Sequence, residues 1–262
     1  MNDTLDKKPK QGKEADRGLS VRGLVPNAIT VLALCAGLSS IRLGLAERFE
    51  MAFGMIFLAS LLDGVDGRIA RLLKAESRIG AQLDSLVDFL NFGIAPVLLI
   101  YIWGAGGMGR IGWLAILVFS VCAALRLARF NVLHEDPDRP VWADNFFVGM
   151  PSPAAGLLAL MPMVIHFAEL ADMKQHLPVI AIYIVLLGAM MVSRIPTYSG
   201  KQVALFIPRQ FALPILLGTG VLAGGIFTFP WVGLIFLAAI YLISIPVSSW
   251  RFHHFRNGGY RS

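Results

Sequence analysis

Leu61-Leu62-Asp63-Gly64-Val65-Asp66-Gly67-Arg68-Ile69-Ala70-Arg71, then eight residues, then Gly80-Ala81-Gln82-Leu83-Asp84-Ser85-Leu86-Val87-Asp88, is the stretch that decides how this chain is read. Its four aspartates interrupt two long apolar segments. An ionisable side chain in a membrane span is costly and marks a functional site by default. Four acids set so close, with glycine and alanine between them, call for a compensating positive charge. A pair of divalent cations supplies it most simply.

The rest of the chain agrees with a membrane setting. Of 262 residues, 56% are hydrophobic and only 15% are charged. Soluble domains run nearer to about 45–50% apolar and about 25% charged. Mean hydropathy is +0.67. The formal charge of +6 belongs to the loops of such a protein and points to anionic lipid. No pattern of basic and aromatic residues suggests nucleic acid. Cys35 and Cys122 lie in apolar runs without C-x-x-C spacing and read as structural thiols. Residues 1–20 carry Lys7, Lys8, Lys10, Lys13 and Arg17 among acids, with no apolar core of a signal peptide. They read as a disordered or surface-lying cytoplasmic tail.

Beyond that tail the expected architecture is an all-α integral membrane protein. Eight transmembrane helices are expected at about 24–45, 50–73, 80–103, 111–131, 150–169, 177–195, 210–227 and 230–250, together forming one domain over 21–252. Residues 253–262 would be a cytoplasmic C-terminal tail. The breaks have physical causes: a glycine-rich turn from Gly104 to Arg110, a charged loop with Pro137 and Pro140, and prolines at 151, 153, 208 and 230. Basic residues set the orientation. With eight spans, only Arg42, Arg48, Arg110 and Lys174 fall on the far side, and all other Lys and Arg share the side of the two termini. That places both termini and the aspartates at the cytoplasmic face of the inner (cytoplasmic) membrane.

Helical geometry accounts for the aspartate spacing. At 100° per residue, Asp63, Asp66, Gly67 and Ala70 share one face, with Arg71 at its margin. Gly80, Asp84, Asp88 and Asn91 form a stripe on the next span. Asp66 lies about 12 Å along its helix from Lys74, and Asp84 about 9 Å from Arg78, so both carboxylate pairs reach a similar depth. Hard oxygen donors beside a phosphate suit Mg²⁺ or Mn²⁺. An ion or proton transport site is the rival reading. Transport acids usually sit near the midplane between repeats of broken helices, and no internal repeat is evident here.

The pattern D-x2-D-G-x2-A-R-x8-G-x3-D-x3-D runs from Asp63 to Asp88 without a departure. It resembles the signature of the CDP-alcohol phosphotransferases, membrane enzymes that move a phospho-alcohol from a CDP-linked donor to a second alcohol and release CMP. Asp84-Ser85-Leu86-Val87-Asp88-Phe89-Leu90-Asn91-Phe92-Gly93-Ile94-Ala95-Pro96 is similar to the phosphatidylserine synthase branch of that superfamily. So are Ala124-Leu125-Arg126-Leu127-Ala128-Arg129-Phe130-Asn131 and Phe147-Val148-Gly149-Met150-Pro151-Ser152-Pro153. Pro26-Asn27-Ala28-Ile29-Thr30 resembles the P-N-x-x-T of the first span. The likeness extends over about residues 20–250.

The resemblance implies the reaction of CDP-diacylglycerol with L-serine to give phosphatidylserine and CMP. It also implies two divalent cations, Mg²⁺ or Mn²⁺, and a homodimer in lipid. Sister enzymes use glycerol phosphate, inositol phosphate or choline as acceptor. Asp63, Asp66 and Asp84 would be metal ligands. Asp88 would be the general base and would also touch metal. Gly67, Ala70 and Gly80 would leave room for CDP-diacylglycerol, and Arg71 would pair with a phosphate. Arg78 is either a phosphate contact or a solvated loop residue. Asn27 and Thr30 either touch the nucleotide or cap a helix. Arg126 and Arg129, with Asn131 nearby, either bind the serine carboxylate or a phosphate or snorkel to the interface.

Overall fold

The computed structural model describes residues 21–73, 77–134, 146–193, 196–198, 224–225 and 228–258. Helix α1 (Val21–Leu45) and helix α2 (Phe49–Leu72) pack along each other as an antiparallel pair, joined by a turn in which Glu47 takes a positive φ of 59°. Helix α3 (Arg78–Asp88) begins at Ser77, whose hydroxyl accepts from the Gly80 N–H at 3.0 Å, a side-chain cap on an otherwise unsatisfied donor. It continues through a π-helical segment (Phe89–Ile94) into α4 (Ala95–Trp103). Then come α5 (Arg110–His134), α6 (Ser152–Ala159), α7 (Met161–Phe167), α8 (Leu177–Val192) and α9 (Pro230–Gly258). Buried residues of α2, α4, α5, α6, α7 and α8 form one apolar core around Ile56, Leu99, Ile100, Phe119, Met163 and Ile184.

Prolines bend this bundle, and other elements take up the carbonyls they leave. Pro96 has no N–H to offer the carbonyl four residues back. The helix before it widens by one residue per turn, so that the Ala95 N–H bonds to the Leu90 carbonyl, a π-type bond. The segment is held from two sides. Ser120 of α5 donates to the Gly93 carbonyl at 2.9 Å, and the Asn91 amide donates to the Ala33 carbonyl of α1 at 3.1 Å. A Cβ on Gly37 would lie 1.9 Å from the Asn91 Oδ1, so only glycine fits opposite it. Pro162 leaves the Leu158 carbonyl without its helical partner, and the Tyr183 hydroxyl of α8 donates to it at 2.8 Å.

The expected spans are met in part. Among the described residues, four helices are long and apolar enough to cross a membrane: Leu24–Leu45, Ile79–Trp103, Arg110–Val132 and Met173–Val192. The chain is thus a multi-pass membrane protein, with four of the expected spans met among the described residues. Helix α2 has the length, at 24 residues, and its Glu50, Asp63, Asp66, Arg68 and Arg71 keep it out of that apolar set. The expected span at 150–169 is two short helices that meet at Leu160, because Pro162 interrupts the hydrogen-bond ladder. The span expected at 210–227 falls almost wholly outside the described residues, as do the tail at 1–20 and the loop with Pro137 and Pro140. The apolar part of α9, Pro230–Ile245, is short, and the helix runs on to Gly258 through the stretch expected as a tail from residue 253. A helix does not stop where its apolar side chains do.

The fold is also not purely helical. Strand β1 (Phe146–Val148) pairs antiparallel with β2 (Pro196–Tyr198), with Phe147 opposite Thr197. The ribbon closes at Gly149, whose φ is +85°, followed by the Met150 N–H bonding the Met190 carbonyl at 3.3 Å. A side chain at 149 would meet the Met191 carbonyl at 2.4 Å, so glycine is required there.

Candidate active site

The ends of α2 and α3 bring the aspartates together as the helical spacing predicts. One carboxylate oxygen from each of Asp63, Asp66 and Asp84 lies within 4.8 Å of the others. Asp66 is only 4% exposed and Asp63 and Asp84 are half-buried. Asp88, one turn beyond Asp84, lies beside the carboxyl of Asp63. Its Oδ1 is buried with no hydrogen-bond partner.

Helix α1 fixes this cluster from behind. The Thr30 hydroxyl, 5% exposed, donates to Asp66 Oδ2 at 2.7 Å. Thr30 therefore braces a carboxylate of the cluster. Asn27 lies six residues inside α1, which excludes the helix-cap reading. Its Oδ1 packs against α3, where a Cβ on Gly80 would stand 2.8 Å away. Gly80 thus serves the approach of two helices. Gly67 differs: a Cβ there meets nothing within 4 Å, and the same holds for Gly64. The exposed face of α2 beside the carboxylates is open to a bulky ligand. Arg71 lies along that face, with its Nε–H donating to the Gly67 carbonyl at 3.1 Å. Ala70 is half-buried next to it.

The α5 residues divide. Arg126 is half-buried, faces Asp88 electrostatically, donates from Nη1 to the Ser152 hydroxyl, and holds its guanidinium carbon 5.6 Å from the Phe130 ring centre. Arg129 is exposed, as a snorkelling residue would be. Asn131 is turned to α3, where its amide donates to Ser85 at 3.0 Å. It braces the two helices. The Arg78 side chain lies outside the described residues. Ser85 and Ser152 escaped the sequence reading. Nothing in the local pattern separates them from packing residues, and only the tertiary arrangement gives them a role.

The set fits a divalent metal. Its donors are all hard carboxylate oxygens, three of them converge, and a fourth carboxylate beside them keeps a buried oxygen without a partner. These features define a helical membrane protein with a candidate metal site beside an open helix face. The CDP-alcohol phosphatidyltransferase profile matches residues 23–193, and a second profile, CDP-alcohol phosphatidyltransferase 2, matches residues 210–246. The chain belongs to the CDP-alcohol phosphotransferase family. Among curated proteins it is 34% identical over 232 residues to the CDP-diacylglycerol–serine O-phosphatidyltransferase of Mycobacterium bovis, covering 88% of this chain and 79% of that one. The protein of the same name from Mycobacterium leprae is 36% identical, over 85% of this chain and 73% of its own. That from Methanocaldococcus jannaschii is 31% identical, over 68% and 76%.

Proposed function

We propose that the chain is a phosphatidylserine synthase, which transfers the phosphatidyl group of CDP-diacylglycerol to the hydroxyl of L-serine and releases CMP. The observation that carries this reading is the convergence of Asp63, Asp66 and Asp84 within 4.8 Å beside an open glycine face, in a chain whose relatives bear that activity's name. Asp63, Asp66, Asp84 and Asp88 would hold two divalent cations, Mg²⁺ or Mn²⁺. When bound, such cations neutralise charge on the pyrophosphate and on departing CMP.

The remaining roles belong to the side chains themselves. Gly67 and Ala70 admit the nucleotide and Arg71 pairs with a donor phosphate. Asp88 takes the proton of the serine hydroxyl as its oxygen bonds to phosphorus and the phosphorus–oxygen bond to CMP breaks. Arg126 holds the serine carboxylate. The catalytic unit is residues 21–252, an eight-span homodimer in the cytoplasmic membrane, with both termini and the aspartates on the cytoplasmic side. The donor's acyl chains extend sideways into lipid.

The test is CMP release by purified protein in detergent with CDP-diacylglycerol, Mn²⁺ or Mg²⁺, and each acceptor in turn. Serine supports turnover, and EDTA or any of Asp63→Asn, Asp66→Asn and Asp84→Asn removes most of it. Turnover with glycerol phosphate, inositol phosphate or choline instead of serine would assign the chain to a sister activity. No CMP release with any acceptor, or full activity in chelator, refutes the reading.

A further inference from the structure

At the end of the bundle away from the aspartates lies an open cavity of about 520 Å³. Phe49, Trp103 and Phe167 give it aromatic walls, and Glu50, Glu169 and Lys174 line it with charge. Asp66 is about 24 Å further along α2 than Glu50, so the cavity is separate from the metal site. Two apolar spans meet there: Ile79–Trp103 ends at the cavity and Met173–Val192 begins beside it. Span ends lie at the level of lipid headgroups.

The polar groups of the cavity divide into engaged and free. Asp172 is engaged. Its Oδ1 lies 3.4 Å from His166 Nδ1 and accepts the Lys174 backbone N–H at 3.3 Å, and its Oδ2 accepts from the Gln175 amide at 2.9 Å. His166 in turn meets the Trp103 ring edge-on, with centres 5.3 Å apart. These residues shape the wall. Glu50 and Glu169 are exposed, and no hydrogen bond or ion pair to another described residue holds either carboxylate. The Lys174 ammonium lies 5.5 Å from the Trp103 ring centre, a cation–π contact that leaves its donors open. The acids here are spread along the walls. Among the described residues, only Asp63, Asp66 and Asp84 bring three ligand atoms together as a metal requires.

We propose that this cavity binds the headgroup of a zwitterionic phospholipid, its ammonium taken by Glu50 and Glu169 and its phosphate by Lys174. Two free carboxylates answer one cation, and one free ammonium answers one phosphate. The aromatic walls suit the methylenes between those two groups. An anionic phospholipid without an amine would bring its phosphate to Lys174 and leave both carboxylates facing a negative headgroup. A soluble amine would lack the apolar chains that hold a headgroup at the ends of two spans. The site lies outside the proposed transfer reaction, and its occupant is not a reactant at the aspartates.

The experiment uses the purified full chain in detergent micelles with a rising mole fraction of dioleoyl phosphatidylethanolamine or dioleoyl phosphatidylglycerol. The rise in thermal midpoint gives the half-saturating mole fraction of each lipid. Phosphatidylethanolamine should half-saturate at the lower fraction, although the chain's charge of +6 alone would favour phosphatidylglycerol. Equal fractions, or a preference for phosphatidylglycerol, overturn the proposal. The double variant Glu50→Gln with Glu169→Gln keeps both side-chain shapes and removes two charge pairs. The preference for phosphatidylethanolamine should fall about 2- to 30-fold. A merely structural effect would move both lipids alike, and the unchanged ratio would overturn the site. Glu169→Gln alone reads the same ratio if the double variant fails to fold. Lys174→Gln should weaken both lipids together by about 1.5- to 5-fold, and no effect on either overturns the phosphate contact. Free phosphoethanolamine that stabilises the protein as well as the lipid does would overturn a membrane lipid as the occupant.

Discussion

Thr30→Val tests whether α1 tunes the metal site without touching it. The substitution keeps the volume and the β-branch and replaces one hydroxyl by a methyl. In the structure that hydroxyl donates to Asp66 Oδ2 at 2.7 Å, with Thr30 5% and Asp66 4% exposed. Water has little access to replace the bond. A hydrogen bond to a charged group is worth about 1.5–3 kcal/mol, equal to roughly 10- to 150-fold in an equilibrium constant. Partners that orient metal-ligating groups typically cost 10- to 100-fold in metal affinity when removed, which agrees with that range. The assay is CMP release against Mn²⁺ or Mg²⁺ concentration. The half-saturating metal concentration should rise about 10- to 100-fold, with kcat largely recovered at saturating metal. Thr30→Ser, which keeps the hydroxyl, should stay near wild type. An unchanged metal requirement in Thr30→Val refutes the argument. A lost kcat that no metal concentration restores would place Thr30 in direct contact with substrate.

Two more outcomes are set by the packing and the topology. Gly37→Ala puts a Cβ 1.9 Å from Asn91 Oδ1, so the thermal midpoint in detergent should drop by an amount equivalent to about 1–3 kcal/mol, and Asn91→Ala in the same chain should recover part of it; an unshifted midpoint would mean that α1 and the π segment do not press together. Cysteines introduced at Gly107 and Lys174 should react with an impermeant thiol reagent on intact cells, and one at Ser77 only after permeabilisation, whereas the reverse pattern would invert the orientation.

How far the sequence could be read depends on which residues carry polarity. Helix ends at Leu45, Leu72 and Trp103 were legible to within a few residues because a charge or a glycine lies just beyond each. The meeting of Asp63, Asp66 and Asp84 was legible because acids among apolar residues fix a helical phase. The same argument fails where polarity is absent. Over 150–169 nearly every residue is apolar, so the break at Leu160 left only Pro162 as a trace. The strands at 146–148 and 196–198 are each three residues long and exist through each other, which no local pattern announces. The bond from Thr30 to Asp66 was hidden as well, since its hydroxyl reaches across 36 positions of sequence.

The π segment also sets the phase of the whole third span. Between Asp88 and Pro96 the chain takes wider turns than an α-helix of the same length. Each residue added to a turn rotates the remainder of the helix by about 100° around the axis. The carboxylate half of the span and its Trp103 half are thereby set at an angular offset that a regular helix would not give. A homologue one residue shorter between Asp88 and Pro96 would have to choose which end to keep in place. Residue count in that interval, more than residue identity, is what couples the reacting end of the span to its buried core.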